Sequence, residues 1–197
     1  MKLLISPTSP YARKAHIVIL EKQIACSIEA AVPWDNDPIV MQNNPLRKIP
    51  ILLTDSGNAI VDSRVICEYL EGLGTAPQLL PNDPEARIAT QTRIAIAEGA
   101  MDGALAIIMS GRVSPDMATD AWKTWLMDKV AATLTYFENN LSATEMPDMA
   151  DITLGCLLGT LDFRMPAYDW KSSHPQLSAR WQVWSQRPSF IQTVPKT

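Results

Sequence analysis

The sequence predicts an α/β domain followed by an all-α domain, and three observations carry this prediction. Short apolar strands alternate with helical segments up to residue 76, a proline-rich stretch covers 77–84, and the spacing from residue 85 onward is almost wholly helical. The first part reads β-α-β-α-β-β-α, which is typical of a compact sheet with helices on its faces. We therefore expect domains at 1–76 and 85–197, joined by a linker at 77–84.

The first strand and helix are the best marked elements. Residues 2–5 form a short apolar strand that ends at Ser6-Pro7, after which the apolar spacing becomes helical. Ser9 stands in the N-cap position and Pro10 in the first helical position, where each residue type is favoured. A helix is therefore expected to begin at Ser9-Pro10.

The remaining elements follow from turn and capping signals. Asp55-Ser56-Gly57-Asn58 has the composition of a tight hairpin, and Asp62-Ser63 opens a third helix that runs to about residue 73. In the helical part, Asp148 followed three residues later by Asp151 resembles a capping box. The other expected elements are a strand at 27–32, a short helix ending near residue 42, strands at 51–54 and 59–61, and a long helix carrying Trp122 and Trp125.

Composition excludes several classes of protein. The chain has 197 residues, of which 47% are hydrophobic and 19% charged, and a formal net charge of −4, so a basic nucleic-acid surface is not indicated. Its three widely spaced cysteines suggest neither a disulfide framework nor a zinc site. No apolar run approaches a membrane span of ~18 residues, and Pro7 interrupts the N-terminus too early for a signal peptide. We expect a cytoplasmic protein with reduced thiols.

The helix start at Ser9 has two readings. A helix N-terminus carries unsatisfied N–H groups and partial positive charge, so a hydroxyl there can stabilise an adjacent anion. On local sequence alone, a plain N-cap is the favoured interpretation of Ser9. In a thioredoxin-like sheet, however, the first strand-to-helix junction carries the thiols, and here the chain has no cysteine at that point. A bound thiol is the natural alternative.

Two further segments are candidates for ligand contacts. Ile49-Pro50 precedes an apolar strand, and a cis peptide there would turn the Ile49 backbone outward to pair with an extended ligand, although most X-Pro bonds are trans. Asp62-Ser63 opens the third helix and offers a hydroxyl and N–H groups to a carboxylate, or acts simply as a cap.

Together these segments resemble the glutathione-transferase family in its bacterial, serine-type form. The resemblance rests on the order and spacing of three segments and on the later Ala150-Asp151-Ile152, which is similar to the folding motif of the family's helical domain. The three segments are Ser9-Pro10-Tyr11-Ala12-Arg13-Lys14, Asn44-Pro45-Leu46-Arg47-Lys48-Ile49-Pro50 and Asp62-Ser63.

The resemblance implies a thioredoxin-like glutathione-binding domain, an all-α substrate domain and a role for each site residue. Ser9 would hydrogen-bond the glutathione sulfur, and the Ile49 backbone would pair with the cysteinyl unit. Asp62 and Ser63 would hold the γ-glutamyl end, and Lys48 would reach the glycine carboxylate. Asp62 stands where many relatives carry Glu, and Asp148 stands where the folding motif often has Ser or Thr.

The resemblance further implies a homodimer that uses the fourth and fifth helices near Met101-Asp102. The expected activity is conjugation of glutathione, as co-substrate and without a metal, to a small electrophile. Two alternatives remain: another glutathione-dependent reaction at the same site, such as isomerisation, dehalogenation, ether cleavage or reduction, or a non-catalytic binding or regulatory protein. His16 and His174 lack the local spacing of metal ligands.

Overall fold

The computed structural model describes residues 1–74, 76–114, 119–142 and 146–196, and these residues form two compact units. Unit 1 comprises Met1–Leu80 and Pro188–Thr197, and unit 2 comprises Pro81–Arg187. The strands are β1 (Lys2–Ile5), β2 (Ser27–Ala30), β3 (Ile51–Leu53) and β4 (Ala59–Val61). The helices are α1 (Pro10–Glu21), α2 (Pro38–Asn43), α3 (Ser63–Gly72), α4 (Pro84–Val113), α5 (Asp120–Asn139), α6 (Met149–Arg164), α7 (Pro175–Ser185) and α8 (Pro188–Gln192), with a 3₁₀ turn at Pro33–Asp35.

Unit 1 is built on a mixed four-stranded sheet in the order β2-β1-β3-β4. Strand β1 runs parallel to β2 and antiparallel to β3, and β3 runs antiparallel to β4. Leu3, Leu4 and Leu52 of the central strands are fully buried. The β-α-β-α-β-β-α order and the α/β class expected from the sequence are confirmed, and only the strand ends differ, because β2 stops at Ala30 and β3 at Leu53.

The division into units differs from the sequence-based boundaries at two places. Leu79 and Leu80, expected in the linker, are buried and belong to unit 1. The segment that begins with α8, expected in the helical domain, also groups with unit 1, where α8 packs against α1. A boundary based on local composition cannot register packing between chain segments that lie far apart.

Unit 2 is all-α, as expected, and its helices pack mainly through α4, α5 and α6. The capping box at the start of α6 is confirmed: the Asp148 side chain accepts the Asp151 N–H at 2.8 Å, and the Asp151 side chain accepts the Asp148 N–H at 3.3 Å. Helix α6 then runs through the interior with every residue from Met149 to Leu161 buried.

Helix α4 is more apolar than the sequence-based expectation allowed. It has 30 residues and an 18-residue window of mean hydropathy 1.4, so among the described helices it alone is long and apolar enough to cross a membrane. Met101 and Ala104 are fully buried, and the helix packs against α6 and α5 within unit 2. Buried residues make up 39% of the apolar window, so part of its apolar surface packs within unit 2 and part is accessible.

Candidate functional site

The three candidate segments meet at one edge of the sheet. Leu4 of β1 pairs with Ile51 of β3, and Ile51 pairs with Val61 of β4, so these residues form one row across the three strands. The chain leaves β1 beyond this row toward Ser9, enters β3 through Ile49-Pro50, and leaves β4 toward Asp62. Helices α1 and α3 both begin at this edge, which brings two helix N-termini to one side of unit 1.

Ser9 is the N-cap of α1, as expected. Its Oγ accepts the Ala12 N–H at 3.3 Å, and its carbonyl accepts the Arg13 N–H at 2.9 Å. A hydroxyl that accepts a hydrogen bond still has its own proton to donate. The half-buried Ser9 hydroxyl can therefore cap the helix and donate to an anion at the same time, so its two readings are compatible.

The loop before β3 is held by a residue that the sequence analysis did not single out. The buried Asn44 donates from Nδ2 to the Lys48 carbonyl at 2.8 Å, and its Oδ1 accepts the Leu46 N–H at 3.0 Å. Its carbonyl accepts the Arg47 N–H. The Asn-Pro pair at 44–45 is a turn signal that pointed to this position.

Ile49 follows this loop and is half-buried. The Ile49-Pro50 peptide bond is cis. Within the described part of the chain, neither the N–H nor the carbonyl of Ile49 forms a hydrogen bond. The backbone of Ile49 thus has the donor and the acceptor that an extended peptide ligand needs.

Asp62 and Ser63 have different positions at the start of α3. Asp62 is the N-cap: its Oδ1 accepts the Arg64 N–H at 2.8 Å, and the residue is exposed. Ser63 is the first helical residue and is buried. Asp62 has φ of 71°, a conformation that costs a non-glycine residue about 1–3 kcal/mol and that is found disproportionately at ligand sites.

Lys48 is exposed, and its carbonyl is the group that Asn44 fixes. The structure therefore fixes the backbone at this position while the ammonium group extends on a flexible stem toward solvent.

A small cleft adjoins Ser9 within unit 1. It has a volume of about 110 Å³, and it lies between the α1 face that carries Arg13 and His16 and the C-terminal segment with Thr193 and Lys196. Burial lowers the pKa of His16 below its usual value. The sequence alone does not predict this cleft, because 180 residues separate Arg13 from Thr193 and no local signal links them.

The chain's three cysteines are free thiols in the structure. Cys67 and Cys156 are buried free thiols, and burial raises the pKa of the half-buried Cys26 above its usual value. Among the described residues, no three His, Cys, Asp or Glu side chains lie close enough together to hold a metal ion.

The fold and the edge geometry define the class of protein: a thioredoxin-like domain with serine in place of cysteine at its first helix start, followed by an all-α region. A family model described as "Glutathione S-transferase, N-terminal domain" matches residues 3–78. The "Uncharacterized GST-like protein YibF" of Escherichia coli is 33% identical over 199 residues, covering 99% of this chain and 98% of that protein.

The chain is also similar to solved structures of glutathione transferases. A glutathione S-transferase from Methylobacillus flagellatus with glutathione bound is 38% identical, with a TM-score of 0.92 and 99% of each chain covered. A family member from Pseudomonas fluorescens with bound glutathione is 34% identical, with a TM-score of 0.92, covering 100% of this chain and 99% of that one. The chain belongs to the glutathione S-transferase family.

Proposed function

We propose that this protein is a glutathione transferase in which Ser9 stabilises the glutathione thiolate and the sulfur then attacks a small electrophile. The observation that carries the proposal is the position of the Ser9 hydroxyl. It caps α1 at the edge where Ile49 and the start of α3 also lie, and it keeps a proton for a bound sulfur.

The interactions available at Ser9 are large enough for this task. Lowering the pKa of a thiol by about two units from ~8.5 requires ~2.7 kcal/mol of selective thiolate stabilisation. A hydrogen bond to a charged group contributes ~1.5–3 kcal/mol, and a helix N-terminus adds ~0.3–1 kcal/mol. At neutral pH this shift raises the fraction of glutathione present as thiolate by a factor of only tens. The remaining acceleration comes from holding the electrophile close to the sulfur.

The rest of glutathione is assigned to the other residues at the same edge. The Ile49 N–H and carbonyl pair with the cysteinyl unit. Asp62 and Ser63 hold the γ-glutamyl end: the Asp62 carboxylate takes the ammonium group, and the N-terminus of α3 with the Ser63 hydroxyl takes the carboxylate. Lys48 reaches the glycine carboxylate.

The relatives support glutathione as the ligand. Two relatives at 34–38% identity were solved with glutathione bound. The Pseudomonas fluorescens protein was also solved with S-(propanoic acid)-glutathione, a thioether in which the sulfur carries a short acid. A conjugate of that kind is what transfer of glutathione to a small electrophile produces.

The proposal is tested by calorimetry and by the Ser9→Ala variant. We expect wild type and variant both to bind glutathione, and the pKa of the bound thiol, read from the pH dependence of conjugation, to rise by about one to two units in the variant. The rate of conjugation near pH 6.5 then falls by a factor of about five to fifty, because a smaller fraction of the thiol is ionised. The matched control is Thr8→Ala, which removes a neighbouring hydroxyl and should leave the pH profile in place.

An unchanged pH profile in Ser9→Ala would remove Ser9 from the mechanism. Absence of glutathione binding by the wild type at millimolar ligand would instead favour a non-catalytic protein that keeps the transferase fold. Product analysis with hydroperoxides, mixed disulfides and halogenated substrates separates conjugation from the other glutathione-dependent reactions.

We also propose that the protein is cytoplasmic and a homodimer that pairs through the faces of α4 and α5 near Met101-Asp102. Exposed apolar side chains on α4 and α5, among them Ile88 and Trp125, support pairing through these two helices. A monomer in analytical sedimentation at micromolar concentration would contradict the dimer.

A further inference from the structure

The cleft beside Ser9 is formed by one face of α1 and the C-terminal segment. Ser9, Arg13 and His16 follow one another at i, i+4 and i+7, so they lie on the same helix face. All three line the cleft, and Thr193 and Lys196 line it from the other side. The cleft therefore begins at Ser9, the residue proposed to hold the thiolate, and extends along about two turns of α1.

The described residues that line this cleft carry positive charge and no acid. Arg13 supplies a permanent charge, since a guanidinium does not lose its proton in proteins, and Lys196 supplies an ammonium at the exposed rim. His16 is neutral near pH 7 because burial lowers its pKa. Ser6 and Ser9 also line the cleft and carry hydroxyl groups, whereas the Thr193 hydroxyl donates to the Ser189 carbonyl at 2.8 Å. This combination suits an anion.

Arg13 is held in one orientation. The residue is only 7% exposed, its Nε donates to Thr193 Oγ1 at 3.3 Å, and its Nη2 donates to the Phe190 carbonyl at 3.2 Å. The guanidinium also lies over the Phe190 ring, 5.7 Å from the centroid. A guanidinium fixed in this way contributes its charge to the cleft without the entropy loss of ordering a flexible side chain.

The size of the cleft limits what it can hold. Its volume of about 110 Å³ lies well below the roughly 300–1,000 Å³ of pockets for drug-sized ligands. Ile5, Pro7 and Val194 give it some apolar wall for a short carbon chain.

We propose that this cleft binds the carboxylate of a small acidic electrophile, with Arg13 and Lys196 as the carboxylate-binding residues and the reactive carbon toward the sulfur at Ser9. The inference rests on the proposed transferase function and names its substrate class: short carboxylic acids with a leaving group or an activated double bond near the carboxylate.

The chemistry balances without an oxidant, a reductant or a cofactor. With a halogenated acid, the thiolate forms the new C–S bond while the carbon–halogen bond breaks and halide leaves. With an unsaturated acid, the sulfur adds to the β-carbon, the double-bond pair moves to the α-carbon, and that carbon takes a proton from water. Both routes yield a glutathione thioether that carries a carboxylate.

The first test measures binding alone, by NMR titration of the protein without glutathione, using propanoate and its neutral analogue propanamide as probes. We expect propanoate to shift resonances of cleft residues in a saturable way and propanamide to leave them in place.

Lys196→Gln should raise the propanoate Kd by about three- to tenfold. Lys2→Gln removes the same charge from β1 outside the cleft and should leave the Kd unchanged. Equal shifts with both probes, or an unchanged Kd in Lys196→Gln, overturn the proposal.

The second test connects the cleft to catalysis, with iodoacetate and iodoacetamide as acidic and neutral electrophiles, each rate divided by its uncatalysed rate with glutathione. In Lys196→Gln we expect KM for iodoacetate to rise about three- to tenfold, while the kinetics with iodoacetamide and the glutathione Kd stay the same. Equal losses with both electrophiles overturn the assignment. If glutathione does not bind, the proposed function fails, whereas the propanoate titration still decides whether the cleft binds an anion.

Discussion

At the scale of single residues, the candidate site uses side chains that cap a helix and also face a ligand position. The Ser9 hydroxyl accepts an N–H of α1 and still has a proton to donate. The Asp62 carboxylate accepts an N–H of α3 and, with two oxygens, retains acceptor capacity for an ammonium. Each side chain is thereby fixed in place before a ligand arrives, which lowers the entropy cost of binding.

Asp62→Asn separates the two roles of this residue. Asn is as good an N-cap as Asp and tolerates positive φ, so we expect little change in the unfolding free energy. The ammonium of glutathione keeps an oxygen acceptor but loses a charged partner, and an ion pair at an exposed position contributes ~0.2–1 kcal/mol. We expect a Kd for glutathione about two- to fivefold higher, measured by calorimetry.

Asp37→Asn is the matched control, because Asp37 caps α2 in the same unit by accepting the Ile39 N–H at 3.1 Å. It should leave the glutathione Kd unchanged. Equal glutathione affinity in Asp62→Asn and wild type would show that Asp62 serves the helix alone.

The same residues show what local sequence can predict. Ser9 and Asp62 can be identified from the sequence because an N-cap signal is carried by the residue itself and the few residues that follow it. Their meeting at one edge required the order of elements, which the hydrophobic pattern supplied. Arg13 and Thr193 could not be paired in advance, since their contact depends on how the segment after residue 187 folds back onto α1.

At the scale of elements, the start of α6 carries an unusual concentration of charge. Arg93 of α4 donates to Asp148 Oδ2 at 2.8 Å and to Asp151 Oδ1 at 2.5 Å, so a single guanidinium serves both carboxylates of the capping box. Asp151 is 1% exposed. Burial, together with the neighbouring charge of Asp148, raises the pKa of Asp151 to about 6 despite Arg93.

This pKa has a definite consequence for stability. Asp151 binds its proton more tightly in the folded chain than in the unfolded chain, where its pKa is near 3.8. Its contribution to the unfolding free energy is therefore largest at low pH and is lost as pH rises through about 6. We expect wild type to gain about 1–2 kcal/mol relative to Asp151→Asn between pH 7 and pH 5, measured by urea unfolding.

Comparison with the variant is necessary because His16 acts in the opposite sense. Its pKa is lowered by burial, so its contribution to stability falls as pH drops below 6.5, and this contribution cancels between wild type and variant. Asp128→Asn, at an exposed position on α5, serves as the control and should follow wild type. Parallel pH profiles for wild type and Asp151→Asn would contradict the raised pKa.

At the scale of the whole molecule, unit 1 includes two segments that the sequence-based prediction places outside it: residues 77–80, expected in the linker, and residues 188–197, expected in the helical domain. The C-terminal segment joins it through Arg13, and Ser189 Oγ donates to Glu21 at the end of α1. Residues 77–80 join it through Lys22 and Glu71. Composition marked 77–84 as a linker because prolines and polar residues cluster there, but burial of Leu79 and Leu80 outweighs that signal.

The pair formed by Lys22 and Glu71 is the main attachment of residues 77–80. Lys22 Nζ lies 2.9 Å from Glu71 Oε2 and donates to the Pro77 carbonyl at 2.9 Å. Glu71 Oε1 accepts the N–H groups of Leu79 at 3.0 Å and of Leu80 at 3.2 Å. The side chain of Lys22 is 1% exposed and that of Glu71 is 9% exposed, so solvent screens this pair very little.

Glu71→Gln keeps an acceptor for the Leu79 and Leu80 N–H groups but leaves the buried Lys22 ammonium without its counter-charge. Breaking a buried pair from one side costs about 3–5 kcal/mol, and we expect a loss of that size in the unfolding free energy of unit 1. Adding Lys22→Met to Glu71→Gln removes the uncompensated charge and should restore part of the loss.

Glu68→Gln, an exposed change on the same helix, should stay within about 0.5 kcal/mol of wild type. Additive effects of Lys22→Met and Glu71→Gln in this double-mutant cycle would show that the two side chains do not stabilise each other.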